Sequence, residues 1–321
     1  MTARSSRHLV DRDLLSVLEA QPLVPLSLDM LDQHRNRPIP IDVDPAVKAA
    51  TEMVARKIPG TSGAPAIGLL LCRPLEAQRD LPCIFYIRGG GYVQGAAAWR
   101  EPLLRSLALE LECVVAAVDY RLAPETRFPG ALEDCAAALD WLFAETATLG
   151  LDDQRIGVMG DSAGGGLAAA LALWNRERNG PALAFQHLIY PMLDDRTCTR
   201  DDPHPYAGEF VWDAHNNQFG WSALLGIEPG SADVSPYAAP ARATDLSRLP
   251  PTFIAIGALD LFLEENMEYA RRLARAGVPI ELHVYPGAFH GFDFAPHAAV
   301  AAQARRDSRE ALRRLLHSRP R

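Results

Sequence analysis

The chain has 321 residues, enough to bury a large core as one α/β domain with an insertion or as two domains. Its 48% hydrophobic and 22% charged composition is that of an ordinary globular protein. A net charge of -8 argues against a nucleic-acid footprint, and no apolar run approaches the length of a membrane span.

The first residues, Met1 to His8, lead into Asp11 and Asp13 without the apolar core of a signal peptide, which points to the cytoplasm. Leu14, Leu15 and Leu18 make a helix-like cluster, followed by the extended Pro38-Ile39-Pro40. Residues 1–50 stand outside the pattern that follows and are read as the N-terminal part of a cap. Apolar runs of strand length then appear at 67–72, 83–87, 114–118, 156–159, 187–190, 253–256 and 280–285. The middle ones are apolar on both faces, as expected of strands in a covered parallel sheet. Helical faces lie between them, through Leu103, Leu104, Leu107 and Leu111, through Leu132, Cys135, Leu139 and Leu142, and through Met267, Ala270 and Leu273. Arg305 to Leu316 reads as a final amphipathic helix on the surface. The alternation predicts an α/β fold, a mostly parallel sheet with helices on both faces, over residues 51–190 and 241–321. Residues 191–240 interrupt it with Phe210, Trp212, Phe219 and Trp221 among polar residues. They are read as a cap insertion, because they follow a strand whose C-terminal end borders the site.

Five cysteines, an odd number with no C-x-x-C spacing, argue against a disulfide framework; Cys72, Cys83, Cys113 and Cys135 sit in or beside apolar runs and are read as core. The nine histidines show no metal-ligand spacing, so no metal site is expected.

Gly160-Asp161-Ser162-Ala163-Gly164 joins the strand ending at Met159 to a small-residue helical segment. Strand, G-x-S-x-G and helix make a nucleophile elbow, in which a tight turn exposes the serine hydroxyl. A serine needs a base and a group that orients it. Asp260 follows the run 253–256, at the strand end where such sheets place ligands. His290 lies in a Gly-flanked loop after the run 280–285. The order Ser162, Asp260, His290 is that of an α/β-hydrolase triad. His283 is a poorer base because it sits mid-strand. Asp119 and Asp161 are poorer acids, the first on another strand and the second against the serine. Arg88-Gly89-Gly90-Gly91-Tyr92 also follows a strand, and its glycines can turn backbone N–H groups toward one point. With the N–H of Ala163 these would form an oxyanion hole. No G-K-[ST] follows, so a P-loop is excluded.

Together these residues resemble the hormone-sensitive lipase family of α/β-hydrolases, in its bacterial G-D-S-A-G branch. The resemblance rests on Gly89 to Tyr92, Asp119-Tyr120-Arg121-Leu122-Ala123-Pro124-Glu125, Phe128 to Ala131, Gly160 to Gly165, Asp233 to Tyr237, Ala276-Gly277-Val278 and His290-Gly291-Phe292. It implies an eight-stranded sheet with a helical cap, no cofactor, and carboxylesterase activity on small acyl esters through an acyl-enzyme. It also implies that the oxyanion donors are Gly90, Gly91 and Ala163, with Gly89 adjacent, that Asp119 to Glu125 is a brace, and that a homodimer can form through the sheet edge. Tyr92, Phe210, Trp212 and Phe219 are the candidates for substrate contact, in a bounded apolar pocket suited to short and medium acyl chains. Two alternatives stand beside this reading. One is a non-catalytic small-molecule binder on the same fold, which would be expected to lack a triad residue. The other is a hydrolase of amide, lactone or β-lactam bonds. One departure is plain, since the family reads His-Gly-Gly-Gly and this chain has Arg88. The expectation is that Arg88 braces the glycine loop through guanidinium hydrogen bonds.

Overall fold

Each apolar run is a strand, and one further strand completes the sheet. The computed structural model describes residues 5–20, 23–61, 63–76 and 80–317. The strands are β1 (Thr51–Ile58), β2 (Ile67–Pro74), β3 (Leu81–Ile87), β4 (Val114–Asp119), β5 (Leu151–Asp161), β6 (Gln186–Ile189), β7 (Thr252–Gly257) and β8 (Ile280–Tyr285). They form one sheet in the order β1-β2-β4-β3-β5-β6-β7-β8. β2 runs antiparallel to β1 and β4, and every other neighbouring pair is parallel. β3 and β7 are buried along their whole length, which explains their unbroken apolar sequence. β1 carries no apolar run because it is an edge strand, exposed over Glu52 and Ala55 to Lys57.

Helices cover the sheet on both sides. Gly160, near the end of β5, points its missing Cβ at the helix Ala163–Glu177, where a Cβ would come within 2.2 Å of the Gly164 carbonyl oxygen. Side chains alternate along a strand, so Met159 and Asp161 face the opposite side, where the final helix Ala299–His317 packs on β3, β5 and β7. Four helices of ten or more residues complete the set among the described residues: Glu101–Glu110, Gly130–Ala144, Ala214–Leu225 and Leu263–Arg275.

The two segments outside the alternation are tied to each other. The Ser6 N–H and hydroxyl both donate to Glu209. The Leu26 N–H donates to the Asn216 side chain at 2.7 Å. The aromatics of 191–240 join the central core: Trp221 is fully buried, 5.3 Å from the Tyr92 ring.

Candidate active site

The elbow is built by strain on one side and by close packing on the other. Ser162 sits between β5 and the elbow helix Ala163–Glu177 at φ 55° and ψ -124°. A non-glycine residue there costs about 1–3 kcal/mol. Backbone bonds over-determine it: its N–H donates to Ile189 O at 2.9 Å, and its carbonyl accepts from Gly166 and Met192, each at 3.0 Å. The glycine after Ala163 is required by contact. A Cβ on Gly164 would lie 2.1 Å from the Ile87 oxygen and 2.4 Å from that of Arg88, both fixed backbone atoms.

The loops after β7 and β8 bring the other two residues to this serine. The Leu259 N–H donates to Ala288 O at 2.9 Å, joining the two loops. His290 Nε2 lies 2.9 Å from Ser162 Oγ, and its Nδ1 lies 2.8 Å from Asp260 Oδ2. The other Asp260 oxygen accepts the Phe262 N–H at 2.9 Å, which holds this fully buried carboxylate in place. Aromatic rings wall the imidazole: Tyr190 with its centroid 4.6 Å away, Phe262 at 5.2 Å and edge-on, and Trp212 at 6.3 Å. His283 is elsewhere, on β8, 2.8 Å from Glu281.

The glycine loop is left-handed at Gly90 (φ 124°), Gly91 (φ 57°) and Tyr92 (φ 67°), which turns its N–H groups inward. The Gly89 N–H is already engaged, donating to Asp161 Oδ2 at 3.3 Å. Among the described residues, no acceptor takes the N–H of Gly90, Gly91 or Ala163. Gly89 is therefore a brace of the loop, while the neighbouring glycines keep free donors.

Asp161 belongs to a cluster that sequence reasoning missed. Its carboxylate accepts from the Tyr86 hydroxyl and lies 3.3 Å from Arg100 Nη2, and Arg100 Nε donates to the same hydroxyl at 2.7 Å. Strand alternation was the available signal, since it places Asp161 on the face away from the elbow helix.

Arg88 is 2% exposed and spends its donors on the loop. Its Nη1 donates to the carbonyls of Gln94 at 2.9 Å and Gly89 at 3.3 Å. Its Nη2 donates to Tyr120 O at 3.3 Å, and Nε lies 3.4 Å from Asp119. The guanidinium also lies 4.2 Å above the Tyr120 ring. Removing it strands buried carbonyls and loosens the glycines, so Arg88→Ala should lower kcat about 10- to 1,000-fold with little change in KM. Arg88→His should keep or raise kcat. Wild-type kcat and thermal midpoint in Arg88→Ala would overturn the bracing role.

Of the substrate-contact candidates, Trp212 stands at the loop. A Cβ on Gly91 would come within 2.2 Å of its Cη2, and its indole N–H is held by Asn217 at 3.1 Å. Phe210 packs edge-on to Phe289 at 5.9 Å, and Phe219 is half-buried on the same core. Tyr92 is not placed to touch substrate. Its positive φ turns the ring inward, it is 1% exposed, and its hydroxyl donates to Met192 O at 3.2 Å beside Gly166. It supports the elbow helix from below.

The four cysteines read as core are buried, and burial pushes the Cys72 thiol up to about 11, away from the reactive thiolate. Among the described residues, no group of three or more His, Cys, Asp or Glu is placed to hold a metal ion.

The sequence family described as alpha/beta hydrolase fold matches residues 84–294, more than half of the chain, and the chain belongs to it. The resemblance to the hormone-sensitive lipase branch agrees with that match. The chain is 32% identical to Carboxylesterase NlhH of Mycobacterium tuberculosis over 318 residues, 98% of each protein. It is 35% identical to Ethyl acetate hydrolase of Pseudomonas putida over 212 residues, 65% of each. Among solved structures, Bacterial Heroin Esterase superposes with a TM-score of 0.88 at 35% identity, covering 98% of this chain and 100% of that one.

Proposed function

We propose that this chain is a serine carboxylesterase in which Ser162 is the nucleophile, His290 the base and Asp260 the residue that orients it. That the chain is an ester hydrolase follows from its family and from relatives named as esterases over nearly its whole length. The finer reading is carried by one observation, the continuous chain of hydrogen bonds from Ser162 Oγ through both His290 nitrogens to Asp260. His290 takes the serine proton as Oγ attacks the ester carbonyl, and later delivers it to the leaving alcohol. Asp260 holds the tautomer that leaves Nε2 free to accept and stabilises the imidazolium. The N–H groups of Gly90, Gly91 and Ala163 receive the oxyanion, with Gly89 fixed behind them. Water bound in the same place then hydrolyses the acyl-enzyme. All three triad residues are present and in register, which speaks against a non-catalytic binder.

Residues 1–50 and 191–240 act together as the cap, a reading supported by the Ser6–Glu209 and Leu26–Asn216 bonds and by Arg35, which donates to the Val93 carbonyl just past the glycine loop at 2.8 Å. Trp212 resting on Gly91 and Phe210 beside Phe289 support the reading of an apolar, bounded acyl pocket. The substrate class is therefore esters of short and medium acyl chains, about C2 to C8. The Pseudomonas putida relative, named an ethyl acetate hydrolase, points the same way. Across p-nitrophenyl esters, kcat/KM should peak within that range and fall beyond it. Efficient hydrolysis of emulsified long-chain triglyceride would overturn the size limit, and faster turnover of an amide, lactone or β-lactam would overturn the ester assignment. No described helix is long and apolar enough to cross a membrane. Five unpaired cysteines fit a reducing compartment, and we assign the cytoplasm. A homodimer through the sheet edge fits the partly exposed Leu282 and Val284 on β8.

A further inference from the structure

The face of the sheet turned away from the elbow helix holds a cavity of about 450 Å³ that no triad residue lines. Met159 and Asp161 of β5 border it, with Ile189 of β6 and Ala255 of β7. Phe292 and Phe294, which follow His290 in the chain, form another wall, and the final helix contributes Ala304 and Ser308. Its volume lies in the range, about 300–1,000 Å³, of sites that bury small ligands, and most of its wall is apolar.

The charges around it are Arg100, Arg305, Arg309, Asp161 and Asp293. Arg309 is paired with Glu110 at 3.1 Å, and Arg305 donates to the carbonyls of Asp293, Ala295 and Pro296. Burial pulls the Arg100 guanidinium down, but the facing Asp161 carboxylate and its neighbours outweigh it and hold it charged. Burial pushes the Asp293 carboxyl up, against the stabilising bond from the Tyr190 hydroxyl at 2.7 Å. With Arg309 held by Glu110, Arg100 and Arg305 face two carboxylates, of which Asp293 is pushed toward its neutral form. Among the described residues, Arg100 Nη1 has no acceptor, and the guanidinium lies 4.5 Å over the Phe294 ring.

We propose that this chamber is a second binding site, for a carboxylate with an apolar tail of medium length. The head group sits on Arg100 and the tail lies among Met159, Ile189 and Phe294. An ester hydrolase releases such an acid at every turnover, so naming the ligand as product rests on the function proposed above. Two contacts connect the chamber to the catalytic centre. Arg100 holds Asp161, which in turn accepts the Gly89 N–H of the glycine loop. Asp293 accepts from Tyr190, whose ring packs against His290. A ligand on Arg100 competes with Asp161 for the guanidinium and loosens the glycine loop, lowering kcat more than it raises KM.

Octanoate is the probe, titrated calorimetrically into protein whose Ser162 has been blocked by a fluorophosphonate. One equivalent should bind, acetate should not, and octanol should bind at least about tenfold more weakly for want of the charge-assisted bond. Ala304→Leu and Leu103→Trp fill the chamber from two different helices, and each should weaken octanoate about tenfold or more. Thermal midpoints show that each variant is folded. In turnover of p-nitrophenyl acetate by unblocked enzyme, octanoate should depress kcat in the wild type and not in the filled variants. The site is disproved if octanoate ignores the blocked protein, binds both variants like wild type, or inhibits in a purely competitive way. If instead the fluorophosphonate leaves Ser162 unlabelled, the esterase mechanism fails, and calorimetry on the untreated protein still reads the chamber.

Discussion

Ser162→Ala should remove ester hydrolysis while leaving the fold in place. The side chain loses one oxygen and its bond to His290, but the elbow's geometry rests on backbone bonds to Ile189, Gly166 and Met192. The thermal midpoint should therefore stay near that of wild type, since alanine carries the same backbone strain at this position. Loss of the nucleophile should lower kcat about 10,000- to 1,000,000-fold, the scale seen when a member of such a triad is removed. A fluorophosphonate should label Ser162 in the wild type and nothing in the variant. Turnover by Ser162→Ala within tenfold of wild type would sink the assignment of the nucleophile.

His290→Ala should be nearly as damaging, and its effect should not add to the first. Nucleophile and base act as one unit, so the double variant should be no slower than the slower single one. The pH profile separates this from a packing defect. In the wild type, turnover should fall toward acid pH, because a protonated imidazole cannot accept the serine proton. In His290→Ala the residual rate should lose that limb. His283→Ala supplies the control: that ring lies on β8 with Glu281 at 2.8 Å and Asp307 at 3.7 Å, remote from the serine. It should keep activity within about twofold, the ordinary range of a surface change. Loss of the acid limb in His283→Ala instead would mean that the base has been misassigned.

The three residues were legible in the sequence because each sits on a short connection directly after a strand with a strong apolar signature. That signature places the connection at one end of the sheet, and the chain order of serine, acid and histidine does the rest. The glycine loop was legible for the same reason, but which of its N–H groups remain free was not. That depends on Asp161 reaching across from β5 to take the one at Gly89, a contact 72 residues apart in sequence. Tyr92 was named among the candidates for substrate contact, while its ring is buried beneath the elbow helix, with its hydroxyl on Met192 O. β1 escaped notice because an edge strand with one partner needs little apolar surface. The insertion aromatics were legible as a group. Their destination was not, since Trp212 and Trp221 pack onto Gly91 and Tyr92.

The arginine that stands before the three glycines changes what this enzyme can sense. An imidazole in that place would gain and lose a proton within the range where cells keep their pH, and the loop it steadies would stiffen and slacken accordingly. A guanidinium keeps its proton throughout that range. The anchor made by Arg88 on Gln94, Tyr120 and Asp119 is therefore indifferent to acidity. A titrating support in its place would add a second pH-dependent step to the acid side of the rate profile.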